Sequence, residues 1–473
     1  MKILYASSEA LPFLASGGLA DVAGALPRAL CENGADCRVI MPLYSGIKPE
    51  LRDKMTYLTS FSVPLGWRRQ YCGIFTAEYA GVTYYFVDNE YYFKRDGLYG
   101  HYDDGERFAY FARAIVEAIA HIDFVPDVLH LNDWQTALAA VYINLFYRHD
   151  PRYTFIKTVF TIHNIQYQGK FGKEICEDLL GIDNSNMGLL EFEDCINFMK
   201  AAIASSNMVT TVSPSYANEI MDPWYSFGMD PFLRENSFKL CGILNGIDVD
   251  LYDPSKDPVL AKNYTQKAFL MGKKENKKAM CEELGLNFDE NKPIVAIITR
   301  LVPPKGIDLI RYIFDDLMAK GVQVVLLGSG EHEYEEYFKE CANRYPGDVS
   351  ATIGFIPDLS RRIYAGADIF LMPSKSEPCG LSQMIACRYG TIPVVRETGG
   401  LRDSIIDFGA DDKNGCGYTF KTYNAHDMLG ALERAIGAFH NKPVWKKQVS
   451  QAISADFSWK TSAARYMEMY NSL

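Results

Sequence analysis

Four segments of this chain gather side chains that could act on a ligand carrying phosphates or many hydroxyls. The first is Ser16-Gly17-Gly18-Leu19-Ala20-Asp21, between a strand pattern and a helix pattern. Paired glycines let backbone approach a ligand closely, and the unpaired N–H groups opening a helix attract an anion. Asp21 falls in the first helical turn, where the helix dipole alone would favour a carboxylate. The spacing is not GxGxxG, so it is no dinucleotide fingerprint, and a tight strand-to-helix turn explains the glycines as well. The second segment has Arg300 ending a strand, with Lys305 and Gly306 opening the next helix. Two cations fixed at the carboxyl end of a parallel strand suit a diphosphate, each charge-assisted hydrogen bond contributing about 1.5–3 kcal/mol. Surface salt bridging is their alternative use.

The third segment is Ser376-Glu377-Pro378-Cys379-Gly380-Leu381-Ser382, again between a strand and a helix. Glu377 could accept hydrogen bonds from sugar hydroxyls while the N–H groups of Cys379, Gly380 and Leu381 meet a phosphate or hydroxyl. A thiolate nucleophile at Cys379 is the rival reading, but no histidine has the local context of a cysteine protease. The fourth pairs Asn132-Asp133-Trp134 with Thr161-Ile162-His163-Asn164, each ending a strand pattern. Imidazole, amide and carboxylate groups at one sheet edge make a site for sugar hydroxyls; structural hydrogen bonds would use the same groups. Asp248-Val249-Asp250 has the form of a metal-binding DxD but lies in the turn-like stretch NGIDVD, and the turn reading is preferred.

The elements that must position these groups alternate between short apolar strands and helical patterns, the signature of parallel sheets built from βαβ units. Strands are expected at Lys2–Ser7, around Arg38–Pro42, and at Val128–Leu131, Thr158–Ile162 and Val209–Val212. Leu19, Val22, Ala23, Leu26 and Leu30 mark one face of the first helix. A second series begins at Pro293–Thr299 and continues through a helix over Asp308–Lys320 and strands at Val322–Leu327, Ile369–Pro373 and Ile392–Val395. Two separate series imply an α/β protein of two Rossmann-like lobes, joined between Leu244 and the lysine-rich stretch Lys273–Lys278. That KKENKK tract reads as a solvated helix face. Trp459, Ala463, Tyr466 and Tyr470 recur at helical spacing, so the chain ends in a helix that packs on something.

With 473 residues, 48% hydrophobic and 23% charged, the chain is long enough for two or three domains and is not disordered. Its net charge of 48 − 59 = −11 argues against a polyanion partner, so no nucleic acid is expected. Eleven scattered cysteines without a CxxC pair read as reduced thiols of a cytoplasmic protein. Neither a secretory signal nor a membrane-spanning run is expected from the sequence. Aromatic residues are dense from Trp67 to Phe93, and Tyr91, Tyr92 and Phe93 could stack on the apolar faces of a sugar polymer or simply pack their own sheet.

Taken in order along the chain, SSEALPFLASGGLADVAGALP, HLNDWQTAL, TIHNIQYQGKF, TTVSPSYANEI, GILNGID, ITRLVPPKGIDLI, SEPCGLSQMIACRYGTIPVVRETGGLRDSI and DFSWKTSAARY resemble the bacterial glycogen synthase and plant starch synthase family almost end to end. The resemblance implies a GT-B-type fold: an acceptor-side lobe over 1–243, a donor-side lobe over 244–455, a deep cleft between them, and a C-terminal helix over 456–473 that crosses back to the first lobe. It implies retaining transfer of glucose from ADP-glucose to the non-reducing end of an α-1,4-glucan, with no metal or other cofactor and no membrane partner. Carried over by position, Arg300 and Lys305 would hold the donor phosphates, and Ser16, Gly17, Gly18 and Asp21 would contact its diphosphate and ribose. Glu377, Cys379, Gly380, Leu381 and Ser382 would seat the glucose, as would His163 and Asn164. Asn245 and Asp133 would line the same site, Phe355 would lie against the base, and Trp134 would join Tyr91 and Tyr92 on the acceptor side.

Two mechanisms stay open at this point. In one, substitution occurs on a single face and the leaving phosphate takes the acceptor's proton; in the other, Asp133 or Glu377 forms a glycosyl-enzyme intermediate. The family usually carries lysine where this chain has Ala15, which removes one cation near the phosphates. That departure keeps two alternatives in view: a related transferase using UDP-glucose or another acceptor, and a glucan-binding homologue without turnover. A phosphorylase, which shares the two-lobed plan, would require pyridoxal phosphate. Ile385 stands where related transferases have a second glutamate, as expected of the glycogen synthase branch.

Overall fold

Runs such as Ile3-Leu4-Tyr5-Ala6 and Ile294-Val295-Ala296-Ile297 show no polar alternation, and every one of these side chains is at most 1% exposed. Strands of this kind are covered on both faces, as parallel sheets are when crossover helices flank them. The computed structural model describes all residues from Met1 to Leu473. They fall into two compact units, Met1–Gly246 with Trp459–Leu473, and Ile247–Ser458.

The strands of the first unit are β1 (Lys2–Ala6), β2 (Asp36–Pro42), β3 (Thr56–Leu65), β4 (Arg68–Tyr79), β5 (Val82–Asp88), β6 (Val128–Asn132), β7 (Lys157–Ile162), β8 (Lys170–Phe171), β9 (Glu191–Phe192), β10 (Cys195–Asn197), β11 (Met208–Thr211) and β12 (Leu240–Gly242). Nine of them form one sheet in the order β12-β11-β7-β6-β1-β2-β5-β4-β3, while β8, β10 and β9 make a small separate sheet. Pairing is parallel from β12 to β5, and β4 and β3 extend the edge antiparallel. The aromatic-rich stretch is this antiparallel extension followed by a short helix at Glu90–Phe93.

The second unit holds β13 (Ile294–Ile298), β14 (Gln323–Gly328), β15 (Val349–Ile353), β16 (Ile369–Met372), β17 (Ile392–Arg396) and β18 (Tyr418–Phe420). All pair in parallel, in the order β15-β14-β13-β16-β17-β18. The chain runs outward from β13 to β14 and β15, then returns to place β16 on the other side of β13. Loops leaving β13 and β16 therefore diverge at the carboxyl edge, the switch point where open α/β sheets take ligands.

The lysine tract corrects the sequence reading. It is helical, within Phe269–Leu284, but Lys273 and Lys277 are buried. The Lys273 ammonium donates to Thr391 Oγ1 at 2.8 Å and to the carbonyls of Tyr389 and Ala365 at 3.1 and 3.2 Å, and burial pushes its pKa down to about 7. Lys277 pairs with Asp368 at 2.8 Å. Only Lys274, Glu275 and Lys278 of the tract face solvent. A charge run reads as solvated by composition alone; here Lys273 and Lys277 tie the helix to the segments that lead into β16 and β17.

The terminal helix Trp459–Asn471 belongs to the first unit and packs on the helix Gly18–Glu32. Its Tyr470 hydroxyl lies 2.6 Å from His130 Nδ1, and His130 Nε2 lies 2.6 Å from Thr161 Oγ1. Burial drives the His130 pKa down to about 3, so the ring is neutral and both nitrogens depend on these partners. Tyr470→Phe leaves one buried ring nitrogen unpaired and is expected to cost about 1–3 kcal/mol, read as a lower urea midpoint at constant slope. An unchanged midpoint would contradict this anchoring role.

Candidate active site

In the second unit, the loops after β13 and β16 bring two sequence-predicted residues into contact. Lys305 Nζ donates to Glu377 Oε2 at 2.6 Å, and Ser374 Oγ donates to the same oxygen at 2.9 Å. Both partners of the ion pair are largely withdrawn from water, with side chains 16% and 9% exposed. Removing one partner of so desolvated a pair strands the other charge, a loss of about 3–5 kcal/mol. Lys305 thus takes the salt-bridge use, though with Glu377 in a largely buried setting and not at an open surface. Arg300 is exposed, one residue before Leu301, whose backbone bonds to Ser329 and Glu331 fix the segment.

Gly306 makes this contact possible. Its φ is +73°, and a Cβ there would lie 2.3 Å from the Pro373 carbonyl, so only glycine lets the two loops approach. Lys375 N then donates to Pro304 O at 2.8 Å. Beneath the second loop, Gly399 has φ +43° and a Cβ on it would meet the Glu377 carbonyl at 2.1 Å. Cys379 is 6% exposed, which leaves its thiol poorly placed for the nucleophile reading. Gly380, Leu381 and Ser382 continue from it into the helix Ser382–Arg388. Phe355, after β15, is 89% exposed.

In the first unit, adjacent parallel strands deliver Asp133 from β6 and His163 from β7. Asp133, at φ +56°, accepts the His163 N–H at 2.8 Å and also the Asn164 N–H. Desolvation outweighs these bonds and raises its carboxyl to about 7. Asn132 Nδ2 donates to the Ala6 carbonyl at 2.9 Å, so its Oδ1 accepts from Tyr5 Oη and from His163 Nε2, each at 2.9 Å. His163 therefore carries its proton on Nε2 and presents Nδ1 as an acceptor, and desolvation keeps the ring neutral by lowering its pKa to about 3. Asn164 Oδ1 caps its own turn at Gln166 N. Asn245 is buried with an Oδ1 that finds no protein partner.

The Ser16–Asp21 segment is held by Glu9, a buried carboxyl that accepts from the backbone of Ser16 and Gly17 and from Tyr99. A Cβ on Gly17 or Gly18 would meet nothing within 4 Å, and neither has a positive φ. Internal packing does not demand these glycines, which leaves their open side for a ligand. Asp21 lies in the first turn of the helix Gly18–Glu32. Asp248 accepts from the N–H groups of Asp250 and Leu251, in line with the turn reading.

The acceptor-side aromatics divide. Tyr91 is 63% exposed. Tyr92 is corrected: it is fully buried, stacks on Tyr110 at 4.7 Å and donates its hydroxyl to Glu106, so no glucan can reach its face. Phe93 is buried as well. Trp134 is half-buried against Phe108, Phe171 and Phe198. Sequence reasoning passed over Glu9, Tyr5, Ser374 and Arg396, which act only through other residues; the glycine pair at Gly399 was visible but had no role attached. No group of three or more His, Cys, Asp or Glu side chains could hold a metal, and no helix is long and apolar enough to cross a membrane.

The raised Asp133 value has a stability consequence with a definite sign. Between its ordinary value of about 4 and about 7, the folded state keeps the proton that the unfolded chain has lost, so folding stability falls as pH rises through that window. Asp133→Asn has no such titration. Its urea midpoint relative to wild type should therefore rise from about pH 5 to about pH 8; a constant difference would contradict a carboxyl raised to about 7.

The chain is similar along its whole length to known proteins. Residues 2–235 match the family model described as starch synthase catalytic domain, and residues 282–439 match that described as glycosyl transferases group 1. Glycogen synthase from Bacillus cereus is 50% identical, with all of both chains covered. The glycogen synthase of Anoxybacillus flavithermus is 48% identical over all of this chain and 98% of its own. Among solved structures, the catalytic domain of starch synthase IV from Arabidopsis thaliana, bound to ADP and acarbose, aligns with a TM-score of 0.92 at 34% identity, covering 99% of this chain and 98% of that one. With likeness at this level across its whole length, the chain belongs to the glycogen synthase and starch synthase family of glycosyltransferases.

Proposed function

We propose that this enzyme transfers glucose from ADP-glucose to the non-reducing end of an α-1,4-glucan with retention of configuration, releasing ADP in the cytoplasm. The observation that carries the reading is the buried Lys305–Glu377 pair at the switch point of the second unit. Departure of ADP builds negative charge on the β-phosphate; Lys305 is a fixed cation able to stabilise it, and the exposed Arg300 is a second cation on the same loop. Glu377 keeps Lys305 in place and has a second oxygen for a glucose hydroxyl, beside the amides of the Cys379–Leu381 loop. Phe355 offers an open ring for the base.

The first unit contributes neutral groups. Nδ1 of His163 and the unpartnered amide oxygen of Asn245 suit glucose hydroxyls, which donate to acceptors without needing charge. The open faces of Gly17 and Gly18, with Asp21 behind them, suit the diphosphate and ribose. Tyr91 and Trp134 remain the acceptor-side aromatics.

Neither carboxylate is poised as a nucleophile: one Glu377 oxygen is occupied twice, and Asp133 accepts two amides and holds a proton near neutrality. Both facts favour substitution on one face. The bond from the anomeric carbon to the phosphate oxygen breaks, the bond to the acceptor's 4-hydroxyl oxygen forms, and that hydroxyl's proton passes to the departing phosphate. Ala15 motivates a second reading, in which UDP-glucose is the donor.

Steady-state rates of ADP or UDP release on glycogen separate the two donors; faster turnover with UDP-glucose would overturn the ADP-glucose assignment. Lys305→Ala and Glu377→Ala should each lower kcat/KM about tenfold or more, in samples shown to be folded. Unchanged kinetics in both would remove the site assignment.

A further inference from the structure

The loop that follows β16 has its carbonyl groups tied back into the protein. Arg396 Nε donates to Ser374 O at 2.9 Å and its Nη2 to Lys375 O, and Gly400 N donates to Glu377 O and Pro378 O at 3.1 Å each. Gln383 Nε2 donates to Cys379 O at 3.2 Å and to Gly380 O at 3.0 Å. In a trans peptide the C=O and N–H of one unit point in opposite directions. Drawing the carbonyls of Cys379 and Gly380 inward therefore turns the N–H groups of Gly380 and Leu381 outward. Neither of those N–H groups has an acceptor within the protein.

Gln383 is fully buried, and its orientation is fixed independently of the loop. Ser404 Oγ donates to Gly400 O at 2.6 Å, so it accepts from Gln383 Nε2 at 2.9 Å. The amide oxygen is left buried with no partner, beside Gly380, where a Cβ would lie 2.6 Å from it. A buried acceptor without a donor weakens the fold, and an apolar side chain of similar length would avoid that penalty. What the glutamine gives in exchange is its NH2 group, one N–H of which goes to Ser404 Oγ while the other is shared between the two carbonyls. Gly380 itself sits at φ +70°, a turn that brings both carbonyls within reach of one nitrogen.

We propose that Gln383 is a positioning residue for sugar transfer: its NH2 group holds the Cys379 and Gly380 carbonyls inward and so aims the Gly380 and Leu381 N–H groups at the hydroxyls of the donor glucose. The proposal rests on the donor reading given above and adds to it the residue that orients the loop. Gln383 touches no substrate atom. Its effect belongs to the glucose and not to the nucleotide, whose phosphates are held by Arg300 and Lys305.

Two measurements on the full-length enzyme test this. In Gln383→Glu, an oxygen replaces the NH2 group and faces both carbonyls, so the loop peptides turn. The kcat with ADP-glucose and glycogen should fall about tenfold or more, while the inhibition constant of ADP stays within about twofold. Unchanged kcat, or an equal loss of ADP affinity, would overturn the proposal, since a merely structural role would disturb both. If Gln383→Glu does not fold, Gln383→Met is judged by the same two readouts, because it removes the donors without adding charge. A wild-type enzyme inert with ADP-glucose would remove the donor reading and this proposal with it, and that outcome is distinguishable because it needs no variant.

Discussion

A lysine and a glutamate 2.6 Å apart, both mostly shielded from water, govern the second unit. Neither is tolerable there alone, so the loops carrying them must arrive together. That requirement explains features that look unrelated in the sequence. Gly306 lacks a side chain because the Pro373 carbonyl occupies its place, Gly399 because the Glu377 carbonyl does, and Ser374 spends its hydroxyl on the shared carboxylate oxygen. Parallel strands β13 and β16 are neighbours, so their carboxyl ends supply both loops from one edge. The ion pair is less a source of stability than a means of holding a cation ready without letting it roam.

The first unit solves a different problem with different chemistry. Desolvation keeps His163 and His130 neutral and raises the Asp133 carboxyl to about 7. Tautomer and orientation are then set by a chain of hydrogen bonds that begins at a backbone carbonyl, Ala6 O, and passes through Asn132 to His163. Neutral donors and acceptors suit hydroxyls, as fixed charges suit phosphates.

Much of this was legible in the residues. The unbroken apolar strands and the glycines after them announced two parallel sheets; Asp133 and His163 directly follow β6 and β7, and Arg300, Lys305 and Glu377 lie in the segments that follow β13 and β16. The antiparallel edge was less visible, because its aromatic residues pack their own sheet and look the same as a sugar platform; Tyr92 was misread for that reason. The KKENKK helix was misread because charge content says nothing about which lysines meet buried carbonyls. Positioning residues such as Glu9, Gln383 and Arg396 carry no signature of their own. Their role exists only once the backbone groups they hold have been placed.

The most direct test of this account is a double-mutant cycle on kcat/KM for ADP-glucose, using Lys305→Met, Glu377→Gln and the pair. If the two side chains act as one unit, the double variant should be no worse than the poorer single variant, with a coupling of about 1.5–3 kcal/mol. Strictly additive losses would mean that the lysine and the glutamate serve independently, and the buried pair would no longer be the constraint on which the site depends.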